Sequence, residues 1–191
     1  VAQDQPRLRL DGAQISATLA ANSLQRACYV VFVPGAEYGP AKRWPVSHFA
    51  ELAKKLDLPV LLLGSGKEAA LCEEIAALAN AARPQKCLSL AGKTSLAEAF
   101  CILAEAKSVV SNDTGLMHVA AALEVPQVAI FGSSSPLHTP PLSAAARVLW
   151  LKADASYQPP LDCAPCFERV CPLGHTRCLN DISAARVLQL L

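Results

Sequence analysis

The segment Ser-Val-Val-Ser-Asn-Asp-Thr-Gly-Leu-Met-His-Val-Ala-Ala-Ala-Leu, residues 108–123, indicates the fold of the chain. Residues 108–111 form a short run with two β-branched valines, which predicts a buried strand. Residues 114–123 are rich in Ala and predict a helix that begins directly after the strand. A strand that passes through a short loop into a helix is the repeating unit of a parallel sheet.

The same alternation extends to both sides of this segment. Apolar runs predict buried strands at residues 29–33 and 60–63, and shorter apolar segments predict strands at 87–90, 127–131 and 147–151. Helical spacing predicts helices between them, at residues 47–56, 67–82 and 95–106. Because parallel neighbours need right-handed crossover helices, we expect an α/β protein with a Rossmann-like, doubly wound parallel sheet. Its ligand should lie beyond the carboxyl ends of the strands.

The chain divides into a short leading segment and one domain. Residues 1–27 are polar and then Ala-rich, and we interpret them as a linker or interdomain segment with a short helix near residues 15–24. Residues 28–191 are predicted to form the domain, with a Cys-rich loop at 162–180 and a closing helix at 183–191. The start at Val1 is abrupt, as expected for a piece of a longer protein.

The composition argues against several classes of protein. Hydrophobic residues make up 52% of the chain and charged residues 17%, which is typical of a globular chain. The net charge is +1 and the basic residues are scattered, so we expect no nucleic-acid partner. The apolar runs are far shorter than the ~20 residues that span a bilayer, and we see no basic-then-apolar leader. We therefore expect a cytoplasmic location.

The eight cysteines form two groups. Four are isolated in apolar patterns and are predicted to be buried in the core: Cys28, Cys72, Cys87 and Cys101. The other four follow the spacing Cys163-x2-Cys166-x4-Cys171-x6-Cys178, with His175 among them. This spacing suits a structural zinc ion, and soft thiolates also suit an iron–sulfur cluster. Free thiols packed in the loop are the alternative.

The loop at residues 111–118 is the first candidate for ligand binding. Asp113 or Thr114 can cap the following helix, and the N–H groups of Thr114, Gly115 and Leu116 then point toward the end of the strand. Such a helix start attracts anions, and the glycine lets a phosphate approach the backbone. His118 lies one turn further and can face the same crevice. The alternative is a simple helix cap followed by a surface histidine.

Three other loops open at the same edge of the sheet. Lys42, in the loop at 34–45, can place a charge on a phosphate or can be a solvated lysine. Glu68 can accept hydrogen bonds from ribose hydroxyls or can merely favour the dipole of its helix. The loop that contains Thr94 can line an adenine site or cap the next helix. Two phosphate-capable loops at one edge favour the functional interpretation of Lys42.

Four motifs, taken in order, resemble a known family. They lie at residues 34–45 (PGAEYGPAKRWP), 90–96 (LAGKTSL), 111–123 (SNDTGLMHVAAAL) and 131–141 (FGSSSPLHTPP). Together they resemble the carboxyl-terminal half of the ADP-heptose:lipopolysaccharide heptosyltransferases, glycosyltransferase family 9. The resemblance covers about residues 28–191, and the ordered set of four motifs is more specific than any one of them.

The resemblance implies a GT-B enzyme with two Rossmann-like halves. The second half holds the ADP-heptose donor, and heptose is transferred with inversion to the inner core on lipid A, with peripheral contact to the cytoplasmic face of the inner membrane. No cofactor is required for this transfer. The catalytic aspartate lies in the amino-terminal half, so the resemblance implies no catalytic residue in this chain, which alone should bind the donor without transferring sugar.

The resemblance also implies roles for individual residues. Lys42 matches the lysine that neutralises the pyrophosphate, and Thr114, Gly115 and Leu116 match the amide cradle. The remaining matches are Asp113 and His118, which face the donor sugar and phosphates, Glu68, which binds the ribose, and Thr94, which lines the adenine site. The alternatives are another GT-B transferase or epimerase that uses a different nucleoside-diphosphate sugar, or a non-catalytic nucleotide- or metal-binding module.

Overall fold

The computed structural model describes residues 5–191. It contains six strands: β1 (Val30–Val33), β2 (Val60–Leu62), β3 (Cys87–Ser89), β4 (Ser108–Asn112), β5 (Gln127–Phe131) and β6 (Ala146–Trp150). The α-helices are α1 (Gly12–Ala21), α2 (Val46–Lys55), α3 (Ala69–Asn80), α4 (Leu96–Ala104), α5 (Gly115–Ala122), α6 (Arg177–Asn180) and α7 (Ala184–Leu188). Short 3-10 turns lie at Pro40–Lys42, Gly66–Glu68 and Leu151–Ala153.

The six strands form one sheet in the order β3-β2-β1-β4-β5-β6, and every neighbouring pair is parallel. This confirms the predicted doubly wound α/β fold. The chain moves outward from β1 to β3, then crosses to β4 on the other side of β1 and moves outward again. The crevice between the carboxyl ends of β1 and β4 is therefore the switch point, where such sheets bind ligands.

Both faces of the sheet are covered, which explains why β1 and β2 are apolar throughout. Alternate residues of β1 belong to different cores, with Val30 and Phe32 on one face and Val31 and Val33 on the other. Helices α2, α3 and α7 contribute to the first core, and α4 and α5 to the second. Because all six strands are parallel, the loops that follow them lie at one edge of the sheet.

Helix α1 lies in the segment that was predicted to be a linker. It packs against α4, and Leu19 joins the second core. Residues 1–4 of that segment lie outside the described residues. The assignment of residues 1–27 to an interdomain segment stays a prediction.

One of the four cysteines assigned to the core is on the surface. Cys72, Cys87 and Cys101 are buried, as predicted, but Cys28 is exposed. The prediction for Cys28 is wrong because β1 begins only at Val30, and Cys28 lies in the turn before it, outside the sheet.

Helix α3 is the longest described helix, at 12 residues. In the part of the chain that the structure covers, no helix is long and apolar enough to cross a membrane.

Candidate functional site

The loop after β1 and the end of β4 meet at the switch point of the sheet. Lys42 Nζ lies 2.6 Å from Asp113 Oδ2, and the two side chains are 19% and 7% exposed. The structure thus brings together the two segments that the sequence suggested for phosphate binding. A lysine that is mostly shielded from water and held by a carboxylate keeps its ammonium group in a defined place.

Asn112 fixes the loop that carries Lys42. Its side chain is fully buried at the end of β4. Its Oδ1 accepts a hydrogen bond from Trp44 N (3.0 Å), and its Nδ2 donates to Pro34 O (2.6 Å). One amide side chain therefore holds both ends of the loop at residues 34–44. Asn112 was not among the residues predicted from the sequence. The available signal was a polar residue that continues a buried strand, because buried polar groups are usually hydrogen-bonded.

Trp44 anchors the far end of the same loop. Its indole Nε1 donates to Ile182 O (2.8 Å), and its ring packs edge-on against Phe49 at a centroid distance of 4.8 Å. The side chain is 1% exposed. The loop after β1 is therefore held by both the sheet and the segment before α7.

The amino terminus of α5 faces the same corner. Thr114 is the N-cap residue, but its side chain makes no capping hydrogen bond. Met117 N donates to Thr114 O, so the N–H groups of Gly115 and Leu116 are the first two amides of the helix. Gly115 is exposed, and a Cβ placed there would meet nothing within 4 Å, which leaves room for a ligand oxygen. His118 is exposed one turn further along α5.

Glu68 lies at the end of β2, beside the Lys42 loop. Its Oε2 accepts hydrogen bonds from Ser65 N (2.7 Å) and Ser65 Oγ (3.0 Å), as part of a capping box. Its Oε1 lies against Gly35, where a Cβ would come within 1.6 Å of it. Glu68 therefore has a structural task, and its second oxygen lies between the loops that follow β1 and β2.

Thr94 is half-buried in the loop after β3, at the outer end of the same edge. Gly92 N donates to Gly64 O (3.0 Å), and a Cβ at Gly92 would lie 2.9 Å from the Gly66 Cα. The loops after β2 and β3 therefore pack directly on each other. Within the predicted adenine loop it is Ser95 that caps α4.

The four cysteines of the second group surround one small cavity. Cys163, Cys166, Cys171 and Cys178 are half-buried free thiols. They line a cavity of about 20 Å³, together with His175. Among residues 5–191, no three His, Cys, Asp or Glu side chains form a preassembled metal-binding group.

The thiols of this cluster influence one another. Burial raises the pKa of Cys178 to about 11, and the neighbouring Cys171, Cys163 and Cys166 also raise it. Burial would raise the pKa of Cys171 too, but hydrogen bonds from backbone and side-chain groups of the next few residues outweigh burial and lower it. The cluster thus already contains one thiol whose thiolate form is stabilised.

The known proteins that are similar to this chain agree on one family. Residues 1–176 match glycosyltransferase family 9 (heptosyltransferase). Lipopolysaccharide heptosyltransferase 2 of Salmonella typhimurium is 46% identical over 163 residues, which are 84% of this chain and 44% of that protein. The protein of the same name from Escherichia coli is 43% identical over 190 residues, 97% of this chain and 52% of the relative.

The fold agrees with that of a solved member. The structure of the Escherichia coli ADP-heptose LPS heptosyltransferase II matches with a TM-score of 0.81 and 41% sequence identity, over 96% of this chain and 51% of that one. The chain spans about half the length of the relatives it matches. It belongs to glycosyltransferase family 9, the heptosyltransferase family.

Proposed function

We propose that this chain is the donor-binding, carboxyl-terminal half of a GT-B heptosyltransferase, which transfers heptose from ADP-heptose to the inner core of lipopolysaccharide. The observation that carries the proposal is the contact of Lys42 with Asp113 immediately before α5. It joins a cation to a helix amino terminus at the switch point of the sheet. The names of the relatives at 43–46% identity support the choice of sugar and product.

In this proposal the donor diphosphate lies between Lys42 and the first amides of α5. The N–H groups of Gly115 and Leu116 point out of the helix, where its dipole favours negative charge. When the bond to the sugar breaks, negative charge builds up on the leaving diphosphate. Groups that bind this charge more strongly as it develops lower the barrier. Lys42 and the two amides supply such groups, so we propose no metal cofactor for the transfer.

The order of the strands supports an extended nucleotide along the edge. The loops that follow β3, β2, β1 and β4 carry, in turn, Thr94, Glu68, Lys42 and Thr114. Adjacent strands are about 4.8 Å apart, so the three intervals span about 14 Å. We propose that adenine, ribose and diphosphate follow this order. Asp113 and His118 then face the end of the diphosphate that carries the sugar.

The remaining partners belong to the whole enzyme. We propose that an amino-terminal GT-B half supplies the catalytic base and that the acceptor is the core oligosaccharide linked to lipid A. The name lipopolysaccharide heptosyltransferase, which the relatives carry, supports this acceptor. The cytoplasmic location, at the face of the inner membrane, stays a prediction.

Calorimetric titration of the full chain with ADP, UDP and GDP tests the donor site. We expect ADP to bind at least tenfold more tightly than UDP or GDP. Tighter binding of UDP would favour another GT-B transferase or an epimerase that uses a UDP-sugar. If none of the three nucleotides binds, the chain has no donor site and the proposal fails.

A further inference from the structure

The loop that carries Lys42 rests on the cysteine loop. Ala41 N donates a hydrogen bond to Arg169 O (3.1 Å), and Tyr38 Oη donates to Phe167 O (2.7 Å). The backbones approach so closely that a Cβ at Gly39 would lie 2.4 Å from Arg169 O. Asn112 holds the two ends of the Lys42 loop, and residues 167–169 support the middle of it at Tyr38 and Ala41.

Residues 167–169 have little packing of their own. Their side chains and that of Val170 are exposed, so burial of apolar surface cannot order the segment. One backbone hydrogen bond, from Phe167 N to Ser133 O (2.8 Å), ties it to the end of β5. The segment lies between Cys166 and Cys171, and both of these residues line the small cavity. Whatever fixes the two cysteines also fixes the segment.

The cavity has the size and lining of a site for one ion. Its volume of about 20 Å³ is enough to hold one water-sized particle. Four thiols line it, and so does Ser133, which is 1% exposed. Among the described residues Ser133 Oγ has no hydrogen-bond partner. Such an atom usually has a bound ion or water for a partner.

His175 lines the same cavity but serves another purpose. Its Nδ1 accepts a hydrogen bond from Arg177 N (3.1 Å) at the start of α6. A neutral imidazole that accepts at Nδ1 carries its proton on Nε2 and has no free lone pair for a metal. The thiols of Cys163, Cys166, Cys171 and Cys178 thus remain as the four ligands of a tetrahedral site.

We propose that these four cysteines bind one thiophilic divalent metal ion, and that this ion braces the Lys42 loop through residues 167–169. The ion is zinc, because zinc favours a site of four thiolates. Each thiol releases its proton to solvent as its bond to the metal forms. The sulfur atoms have to move inward to about 2.3 Å from the ion, and the exposed loop permits this movement. The ion takes no part in the transfer chemistry and acts by positioning Lys42, whose neighbour Ala41 also lines the cavity. The effect on Lys42 rests on the proposed donor site, whereas metal binding itself does not.

Metal analysis of the full chain, purified without a tag, tests the metal site. We expect about one equivalent of zinc per chain, and cobalt exchange should give the intense visible absorption of tetrahedral thiolate coordination. Cys171→Ser should lose the metal, and Cys28→Ser, an exposed cysteine outside the loop, should retain it. Less than a tenth of an equivalent of metal, several irons with inorganic sulfide, or full zinc content in Cys171→Ser would overturn the proposal.

ADP titration of metal-loaded and chelated protein tests the brace. We expect chelation to weaken ADP binding at least fivefold, and added zinc should restore it. In Lys42→Ala, chelation should cause no further loss of ADP affinity. Tyr38→Phe removes the hydrogen bond to Phe167 O without touching a thiol, so it should keep its zinc and bind ADP more weakly. Unchanged ADP affinity in both experiments would overturn the brace. If even zinc-loaded protein fails to bind ADP, the donor site is wrong, and the metal content still decides the metal site.

Discussion

Lys42 Nζ lies 2.6 Å from Asp113 Oδ2, which joins the loop after β1 to the end of β4 across 71 residues of sequence. Tyr38 lies beside this pair, with its ring centroid 5.2 Å from Lys42 Nζ and 5.0 Å from Arg169 Cζ. Two cations thus flank one aromatic ring next to the amino terminus of α5. The corner therefore holds two cations and one carboxylate, that of Asp113.

Lys42→Ala should weaken ADP binding by about 1–3 kcal/mol, roughly 5- to 150-fold, because a charged hydrogen bond to the diphosphate is lost. Calorimetry at low and at moderate salt measures the effect, which should shrink as salt rises. Lys67→Ala is the matched control, since Lys67 lies in the next loop with its side chain 85% exposed. An unchanged dissociation constant for Lys42→Ala would remove Lys42 from the site.

Asp113→Asn should have opposite effects on stability and on ADP binding. The change removes the anion that pairs with Lys42, so the midpoint of urea unfolding should fall. The diphosphate then no longer competes with a carboxylate, and ADP should bind roughly fivefold more tightly, about 1 kcal/mol. When Asp113→Asn is combined with Lys42→Ala, most of this gain in ADP affinity should disappear. Weaker ADP binding in Asp113→Asn would contradict the competition.

Gly115→Ala should separate folding from binding. The first residue of α5 has room for a methyl group, and alanine favours helix, so stability should stay the same or rise by about 0.4–1 kcal/mol. The methyl group enters the space through which a phosphate reaches the amides, so ADP should bind roughly tenfold more weakly. Gly12→Ala is the matched control, because Gly12 is the first residue of α1 and has the same open surroundings. Equal ADP affinity in both variants would place the diphosphate elsewhere.

Asp154 should make the stability of the fold decrease at acid pH. Hydrogen bonds from the Ser156 side chain, from Arg186 and from Ser156 N lower the pKa of Asp154 to about 2, well below the usual range of an aspartate. A lowered carboxyl pKa stabilises the fold above pH 4, and this contribution is lost as the pH falls toward 2. The urea midpoint of the unchanged chain should therefore drop more between pH 6 and pH 3 than that of Asp154→Asn. Asp57→Asn, at an exposed position before β2, should behave like the unchanged chain.

β1 and β2 were predictable because they are buried on both faces and form continuous apolar runs, and the other strands were predictable from short apolar segments that alternate with helices. The switch-point loops were predictable because the carboxyl ends of parallel strands share one edge. Helix α6 was missed inside the Cys-rich loop, since four residues are too few to show a helical period. Cys28 was misassigned because a turn residue next to a strand looks like its first residue.

The internal contacts of the site were not predictable. The sequence placed Lys42 and Asp113 at one edge, but it gave no sign that they form an ion pair. The role of Asn112 depends on a loop about 70 residues earlier in the chain. The role of residues 167–169 depends on where the cysteine loop folds back. Such contacts between distant segments depend on the packed fold and leave no periodic pattern in the sequence.

The spacing of the loops along the sheet has a consequence for redesign. Thr94 and Thr114 follow strands that lie three positions apart, with the phosphate corner between them and anchored separately through Asn112. If Thr94 lines the adenine site as proposed, substitutions in the loop after β3 should change the preference for the base while the corner at Lys42 stays anchored through Asn112.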